Sequence, residues 1–115
     1  MVEVMYELYR DGELINEGEI ITTVSDIEDA FQLAFFRALK SDETTEDGYN
    51  ILLRDFVLFD HFSVTLEGGK ITGFMEDWHG VQDTVEIHGF YFEDIAVFKF
   101  NIQDRKYRVV VQVIC

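Results

Sequence analysis

The chain has 115 residues, and its 23 acidic and 9 basic side chains give it a formal net charge of −14. Hydrophobic residues make up 48% of the sequence and aromatic residues 15%, a composition too apolar for an intrinsically disordered protein. This length predicts a single globular acidic domain over residues 1–115, because chains of this size form one hydrophobic core.

The first predicted element is a β-hairpin over residues 2–23. Its centre is Asp11-Gly12, a dipeptide typical of two-residue hairpin turns. A simple register counted from this turn sets Val4 opposite Glu19, so that an apolar side chain faces a charged one. We therefore expect a β-bulge near Gly18 that restores the alternation of apolar and polar positions.

An amphipathic helix is predicted over residues 26–39. Ser25 is expected as the N-cap, with Glu28 three residues later completing a capping box, and Asp26 and Asp29 lie near the positive end of the helix dipole. Apolar residues recur at helical spacing along one face, which we expect to pack on the sheet: Ile27, Ala30, Phe31, Ala34, Phe35 and Ala38.

The middle of the chain is predicted to be β-structure. Residues 51–59 are apolar on both faces and too short for periodicity to separate a strand from a buried helix, and we favour a strand. Residues 61–75 predict a second hairpin with Gly68-Gly69 as its turn, since glycine adopts a positive φ angle at no steric cost. In that register Glu67 lies opposite Lys70 as a favourable charge pair.

The last third of the chain predicts a three-stranded antiparallel meander, with turns at Glu93-Asp94 and around Asp104-Arg105. The predicted register sets Val85, Ile87, Gly89 and Tyr91 against Ile102, Phe100, Phe98 and Ala96, and these in turn against Tyr107, Val109, Val111 and Val113. A one-residue slip would destroy this match, because side chains alternate between faces with period two. The fold class is therefore α+β, an antiparallel sheet of an N-terminal hairpin, a central hairpin and the meander, packed with one helix.

No catalytic or cofactor motif accompanies these elements. His61, His79 and His88 have no second histidine at helical spacing, and Cys115 is the single cysteine, so the ligand spacings of zinc sites are missing. The serines do not lie in a G-x-S-x-G turn, and no glycine-rich loop leads into a helix. We therefore predict a protein that is not an enzyme, with no cofactor and no metal.

The expected location is the cytoplasm. The first residues do not form a secretory signal peptide, and no apolar stretch reaches the length of about 18 residues that a membrane span needs. A single cysteine fits a reducing compartment.

Charge is distributed unevenly along the chain. Residues 1–98 carry 22 acidic and 5 basic side chains, whereas residues 99–115 carry 1 acidic and 4 basic ones. The acidity has two explanations: it either serves solubility alone, or its carboxylates imitate the phosphates of a nucleic acid. Direct binding of nucleic acid is not expected, because most of the chain would repel phosphates.

A protein that binds a basic partner tightly needs aromatic anchors as well as carboxylates. The candidate carboxylates are Glu13, Glu17, Glu19, Asp29, Asp42, Glu43, Glu46, Asp47, Glu76 and Asp77. The candidate anchors are Phe36, Tyr49 and Trp78. Two of these have a structural alternative, since Phe36 would also fit a helix edge covered by the next loop and Trp78 would also fit a lid over the core.

These features favour a small non-catalytic inhibitor or immunity protein. Its expected partner is a basic nucleic-acid-binding protein or nuclease, including toxin nucleases and phage-targeted defence complexes, whose basic surface it would cover. The alternative is a self-associating structural or small-ligand-binding domain. Either residues 51–59 cover the apolar outer end of the meander within the chain, or a second copy covers it in a homodimer, which could also form through Phe36. The residues of that apolar end are Phe90, Phe92, Ile95, Val97, Val110 and Ile114.

Overall fold

The computed structural model describes residues 1–40, 61–76, 84–102 and 104–114. Within these ranges the chain forms seven β-strands and one α-helix. In chain order they are β1 (Val2–Arg10), β2 (Glu13–Thr22), α1 (Ile27–Lys40), β3 (His61–Glu67), β4 (Lys70–Glu76), β5 (Thr84–Phe92), β6 (Ile95–Ile102) and β7 (Arg105–Val113). The predicted α+β class is confirmed, while the strand expected at residues 51–59 lies outside the described residues.

The strands form an antiparallel sheet in the order β2-β1-β7-β6-β5-β4-β3. The two predicted hairpins and the meander are therefore parts of the same sheet. Strand β1 pairs with β7, so the N-terminal hairpin joins the end of the meander. Among the described strands, β2 and β3 form the two edges.

The N-terminal hairpin has the predicted turn but a different bulge. Asp11 and Gly12 both have positive φ angles, 52° and 83°, as a two-residue hairpin turn of this kind requires. The pairing register shifts at Ile15, and the bulge expected near Gly18 was placed wrongly. A bulge anywhere between the turn and Val4 restores the alternation, so the apolar pattern does not determine its position.

Of the two strand registers predicted for the meander, one is confirmed and the other is wrong. The β5–β6 register is as predicted, with Ile87 opposite Phe100. The β6–β7 register differs by two residues, because Phe100 lies opposite Tyr107 rather than Val109. A shift of two residues keeps every side chain on its face, and β7 begins at Arg105, a residue that the prediction placed in the turn.

The central hairpin agrees with its prediction. Gly68 and Gly69 have positive φ angles, 62° and 82°, and Glu67 lies opposite Lys70.

The helix begins one residue later than predicted. The Ala30 amide donates a hydrogen bond of 3.2 Å to the carbonyl of Asp26, so Asp26 rather than Ser25 occupies the N-cap position. The sequence supplies two cap-forming residues in succession, and either satisfies the preference for a short polar side chain at this position.

Aromatic rings join the helix to the sheet. Phe35 stacks on Phe98 with ring centroids 4.3 Å apart, and its ring meets Phe100 edge-on at 6.2 Å. Phe31 packs beside Tyr91 at 6.1 Å. Because these rings lie on the buried side of β5 and β6, the helix covers one face of the sheet, here called the inner face, and leaves the opposite outer face free of the helix.

A buried polar contact fixes the helix end against β2. The side-chain amide nitrogen of Asn16, which is 2% exposed, donates a hydrogen bond of 3.1 Å to the carbonyl of Ala38. At the other end of the helix Ile27 is 38% exposed, so it does not belong to the buried stripe for which it was predicted, whereas Leu39 is buried.

Candidate functional site

The outer face of the sheet carries rows of side chains that run across the strands. Directly opposed residues of neighbouring strands point to the same face, so the pairing register shows which side chains lie together. Three rows follow in order along the strands. They are His88, Lys99, Arg108 and Tyr9; Phe90, Val97, Val110, Glu7 and Glu17; and Phe92, Ile95, Gln112, Met5 and Glu19.

Carboxylates concentrate where these rows reach β1 and β2. We call this surface the acidic edge: Glu3, Glu7, Glu17 and Glu19. Glu7 lies directly opposite Glu17, and like charges in this relation destabilise a sheet. Glu17 and Glu19 are exposed on the edge strand and stand about 6.6 Å apart along it.

No cation among the described residues lies within ion-pairing distance of Glu17 or Glu19. Their charges are therefore open to a partner from outside this part of the chain.

Next to the acidic edge lies an apolar patch. It consists of Phe90, Phe92, Ile95, Val97 and Val110, with Met5 and Ile114 at its margin. Phe92 is 70% exposed and Phe90 is 50% exposed, although large aromatic side chains are mostly buried. The patch is continuous with the acidic edge, because Val110 lies directly opposite Glu7.

Farther along the strands, next to the apolar patch, the outer face is basic. A groove of about 920 Å³, here called the basic groove, is lined by His88, Lys99, Lys106 and Arg108 together with Tyr9, Asn101, Glu86 and Asp11, among others. The guanidinium of Arg108 lies 4.6 Å from the centre of the Tyr9 ring. Three of the four basic residues after residue 98, namely Lys99, Lys106 and Arg108, thus converge on one surface.

The phenol of Tyr9 connects the groove to the acidic edge. The pKa of the Tyr9 phenol is raised above the usual value of 10.0, first by its partial burial and second by the negative charge of Glu7. The Tyr9 hydroxyl also donates a hydrogen bond to Glu7, which raises the pKa further. The hydroxyl is therefore held in its neutral form. Arg108 acts in the opposite direction and has a smaller effect on this pKa.

The structure brings together only some of the predicted site residues. Glu17 and Glu19 lie side by side on the outer face, and Glu13 is exposed at the start of β2. Asp29 is exposed in the first turn of α1, so it lies in the helix layer on the other side of the sheet. Phe36 is half-buried and packs against the core beside Phe35, with ring centroids 5.6 Å apart.

Glu76 is the last residue of β4. Seven candidates lie outside the described residues: Asp42, Glu43, Glu46, Asp47, Tyr49, Asp77 and Trp78.

Two carboxylates of the acidic edge, Glu3 and Glu7, were missed by the sequence analysis. They alternate with buried Val4, Tyr6 and Leu8, so the period of two does place them on the opposite face. The unlocated bulge concealed which residues of β2 share that face.

In the described part of the chain, no three His, Cys, Asp or Glu side chains converge in a way that would hold a metal ion. The helix found there is not long and apolar enough to cross a membrane.

Comparison with protein-family models, with curated proteins and with solved structures finds no match for this chain.

Proposed function

We propose that this protein is a non-catalytic inhibitor that covers the basic surface of a nucleic-acid-binding protein or nuclease. The observation that carries the proposal is the acidic edge, where Glu7 and Glu17 lie directly opposite each other and Glu19 follows on the exposed edge strand. An arrangement that destabilises the free protein is favourable in a complex in which lysine or arginine side chains lie between the carboxylates.

The apolar patch supports the same proposal. Charge attraction speeds association, whereas slow dissociation needs apolar side chains that become buried at the centre of an interface. Phe90 and Phe92 are exposed beside the acidic edge and are suited to that role. The partner would then contact carboxylates and aromatic rings on one continuous surface, with the carboxylates in place of phosphates.

The acidic stretch at residues 42–47 and the residues Tyr49 and Trp78 remain predicted parts of the partner-binding surface. Changing Asp42, Glu43, Glu46 and Asp47 together to Asn or Gln tests the stretch, since slower association and a weaker salt dependence are expected if it contacts the partner. Trp78→Ala is expected to speed dissociation with little change in salt dependence.

A second candidate function is self-association through the apolar patch. The exposure of Phe92 favours it, because contiguous exposed apolar side chains are usually covered in an assembly. In that case the acidity would serve solubility alone. The two functions are compatible only if the dimer leaves the acidic edge accessible.

Affinity capture from a host lysate, followed by mass spectrometry, tests the proposal. The wild-type protein is compared with the triple variant E7Q/E17Q/E19Q, which neutralises most of the acidic edge. The matched control is E67Q/E86Q/D104N, which removes the same formal charge from exposed positions away from that edge.

We expect the wild type and the control to retain basic nucleic-acid-binding proteins that elute with salt. The acidic-edge variant is expected to lose them. Equal retention by both triple variants would show that net charge alone causes the capture and would contradict the proposal.

A further inference from the structure

Although the protein is acidic overall, its outer face also carries the basic groove, which has no role in the proposed inhibition. In the basic groove Lys99 lies directly opposite Arg108 on β7, and on its other side directly opposite His88 on β5. Directly opposed side chains have their Cβ atoms only about 5 Å apart, so the two permanent cations repel each other in the free protein. Such an arrangement is favourable once an anion lies between them.

The acidic residues that line the groove already have partners. A carboxylate oxygen of Asp11 accepts a hydrogen bond of 2.9 Å from the backbone amide of Lys106. Glu86 lies 3.3 Å from the Nε2 atom of His88. Among the described residues no carboxylate comes within ion-pairing distance of Lys99 or Arg108, so their charges are not neutralised there.

Both cations lie against aromatic rings. The Arg108 guanidinium lies 4.6 Å from the centre of the Tyr9 ring, and the ammonium of Lys99 lies 5.9 Å from the centre of the Phe90 ring. A stacked guanidinium presents its planar set of N–H donors in a fixed orientation, which suits the oxygens of a phosphate group. Less side-chain entropy is then lost when the ligand binds.

The carboxylates near the groove favour a compact anion over a nucleic-acid strand. Carboxylates of the acidic edge lie on β1 and β2, close to the strand that carries Arg108. Glu17 and Glu19 lie on β2, two strands from Arg108 and three from Lys99, at about 4.8 Å per strand. Charges are screened beyond about 8 Å at physiological salt, so a small ligand seated between Lys99 and Arg108 avoids the field of these two carboxylates. A nucleic-acid strand, with charges spaced along its length, would bring some phosphates near these carboxylates.

From this geometry we infer that the basic groove binds a phosphate group, free or on a small organic phosphate monoester, between Lys99 and Arg108. Arg108 donates paired hydrogen bonds to two phosphate oxygens, and Lys99 supplies the second positive charge. Asn101 and Lys106, which lie directly opposite each other at the end of the groove, contact the rest of the ligand. The site uses none of the carboxylates of the acidic edge.

The test is an NMR titration of the isotope-labelled full chain at constant ionic strength. The ligands are inorganic phosphate, glycerol phosphate and sodium chloride, and backbone amide shifts on β5, β6 and β7 are followed. We expect saturable shifts around Lys99 and Arg108 with either phosphate and none with chloride. Tighter binding of glycerol phosphate would identify an organic phosphate as the ligand, and equal binding would identify the phosphate group alone.

Two double variants with the same net charge distinguish a specific phosphate site from general attraction of phosphate to a basic surface. K99Q/R108Q is expected to bind phosphate at least about tenfold more weakly, since it removes two charge-assisted contacts. The control K70Q/R105Q removes the same charge from exposed positions that do not line the groove, and its affinity is expected to stay within about twofold. If the first variant does not fold, K99Q alone tests the same contact.

Three results would overturn the inference. One is the lack of saturable shifts with either phosphate. Another is an equal loss of affinity in both double variants. The last is tighter binding of a single-stranded oligonucleotide than of glycerol phosphate, which would indicate a polymer instead of a compact ligand.

Discussion

Glu7 lies directly opposite Glu17 across the first two strands, on the face of the sheet that the helix leaves uncovered. Two strands away, Lys99 lies directly opposite Arg108 on the same face. The charges of this protein are therefore sorted on one surface, with like charges together and an apolar patch next to both sets. Sorting of this kind costs stability in the free chain, because like charges repel each other.

The first prediction concerns the stability cost of the acidic pair. Glu17→Gln should raise the free energy of unfolding by about 0.2 to 1 kcal/mol at low salt, because it removes repulsion from Glu7. The gain should disappear at high salt, where the repulsion is screened. Urea unfolding at two ionic strengths measures both effects.

The control for that prediction lies on the opposite edge of the sheet. Glu67 is also an exposed glutamate on an edge strand, but it lies opposite Lys70. Glu67→Gln should leave stability unchanged or lower it slightly, since it removes an attraction. An equal gain in stability from both variants would mean that net charge, and not the Glu7–Glu17 pair, is responsible.

The second prediction concerns the contact between β2 and the helix end. Asn16→Ala should destabilise the fold by about 1 to 3 kcal/mol, because it removes the donor to the Ala38 carbonyl inside the core. Thermal and urea unfolding measure the loss. Asn101→Ala, at an exposed position, is the control and should change stability by less than about 0.5 kcal/mol. Equal effects at both positions would show that the buried contact contributes nothing.

The third prediction is the titration of Tyr9. Its folded-state pKa is raised, so its neutral phenol stabilises the fold at neutral pH, and this contribution is lost only as the pH rises above 10 through the raised pKa. The difference in tyrosinate absorption between the wild type and Tyr9→Phe isolates this phenol from the other tyrosines. Glu7→Gln should move the midpoint downward, and a wild-type midpoint below 10 would contradict the burial and the Glu7 contact.

The sequence predicts the faces of the strands better than their registers. Alternation identifies the buried side of β5, β6 and β7, because an apolar side chain on the wrong face would be exposed. It does not distinguish Tyr107 from Val109 as the neighbour of Phe100, since both point the same way. That choice depends on which residues form the turn between β6 and β7, for which the sequence has only a weak local signal.

The pairing of β1 with β7 was also beyond the sequence analysis. It joins segments that are about 100 residues apart, and the alternation on each strand is compatible with several neighbours. This pairing is what places Glu7 beside Val110 and Arg108 beside Tyr9. The acidic edge, the apolar patch and the basic groove could therefore not be predicted as adjacent surfaces, although most of their residues had been recognised as charged or apolar.

The fourth prediction separates self-association from partner binding. If the apolar patch forms a dimer interface, light scattering should give a mass near twice 13.4 kDa at high concentration. Phe92→Ser should return it to the monomer mass, because Phe92 is the most exposed aromatic residue of the patch. Leu33→Ser, which changes an exposed apolar residue of the helix, is the control. A monomer mass for the wild type would exclude the dimer.

The most direct measurement of the central claim is the association rate constant with a basic partner, obtained by capture, as a function of ionic strength. For the wild type we predict fast association that slows steeply with salt, as expected for opposite charges. E7Q/E17Q/E19Q should associate more slowly and with a flatter salt dependence, while E67Q/E86Q/D104N, with the same formal charge, should remain closer to the wild type. Identical rates and salt dependences for the two triple variants would contradict a role for the acidic edge in partner binding.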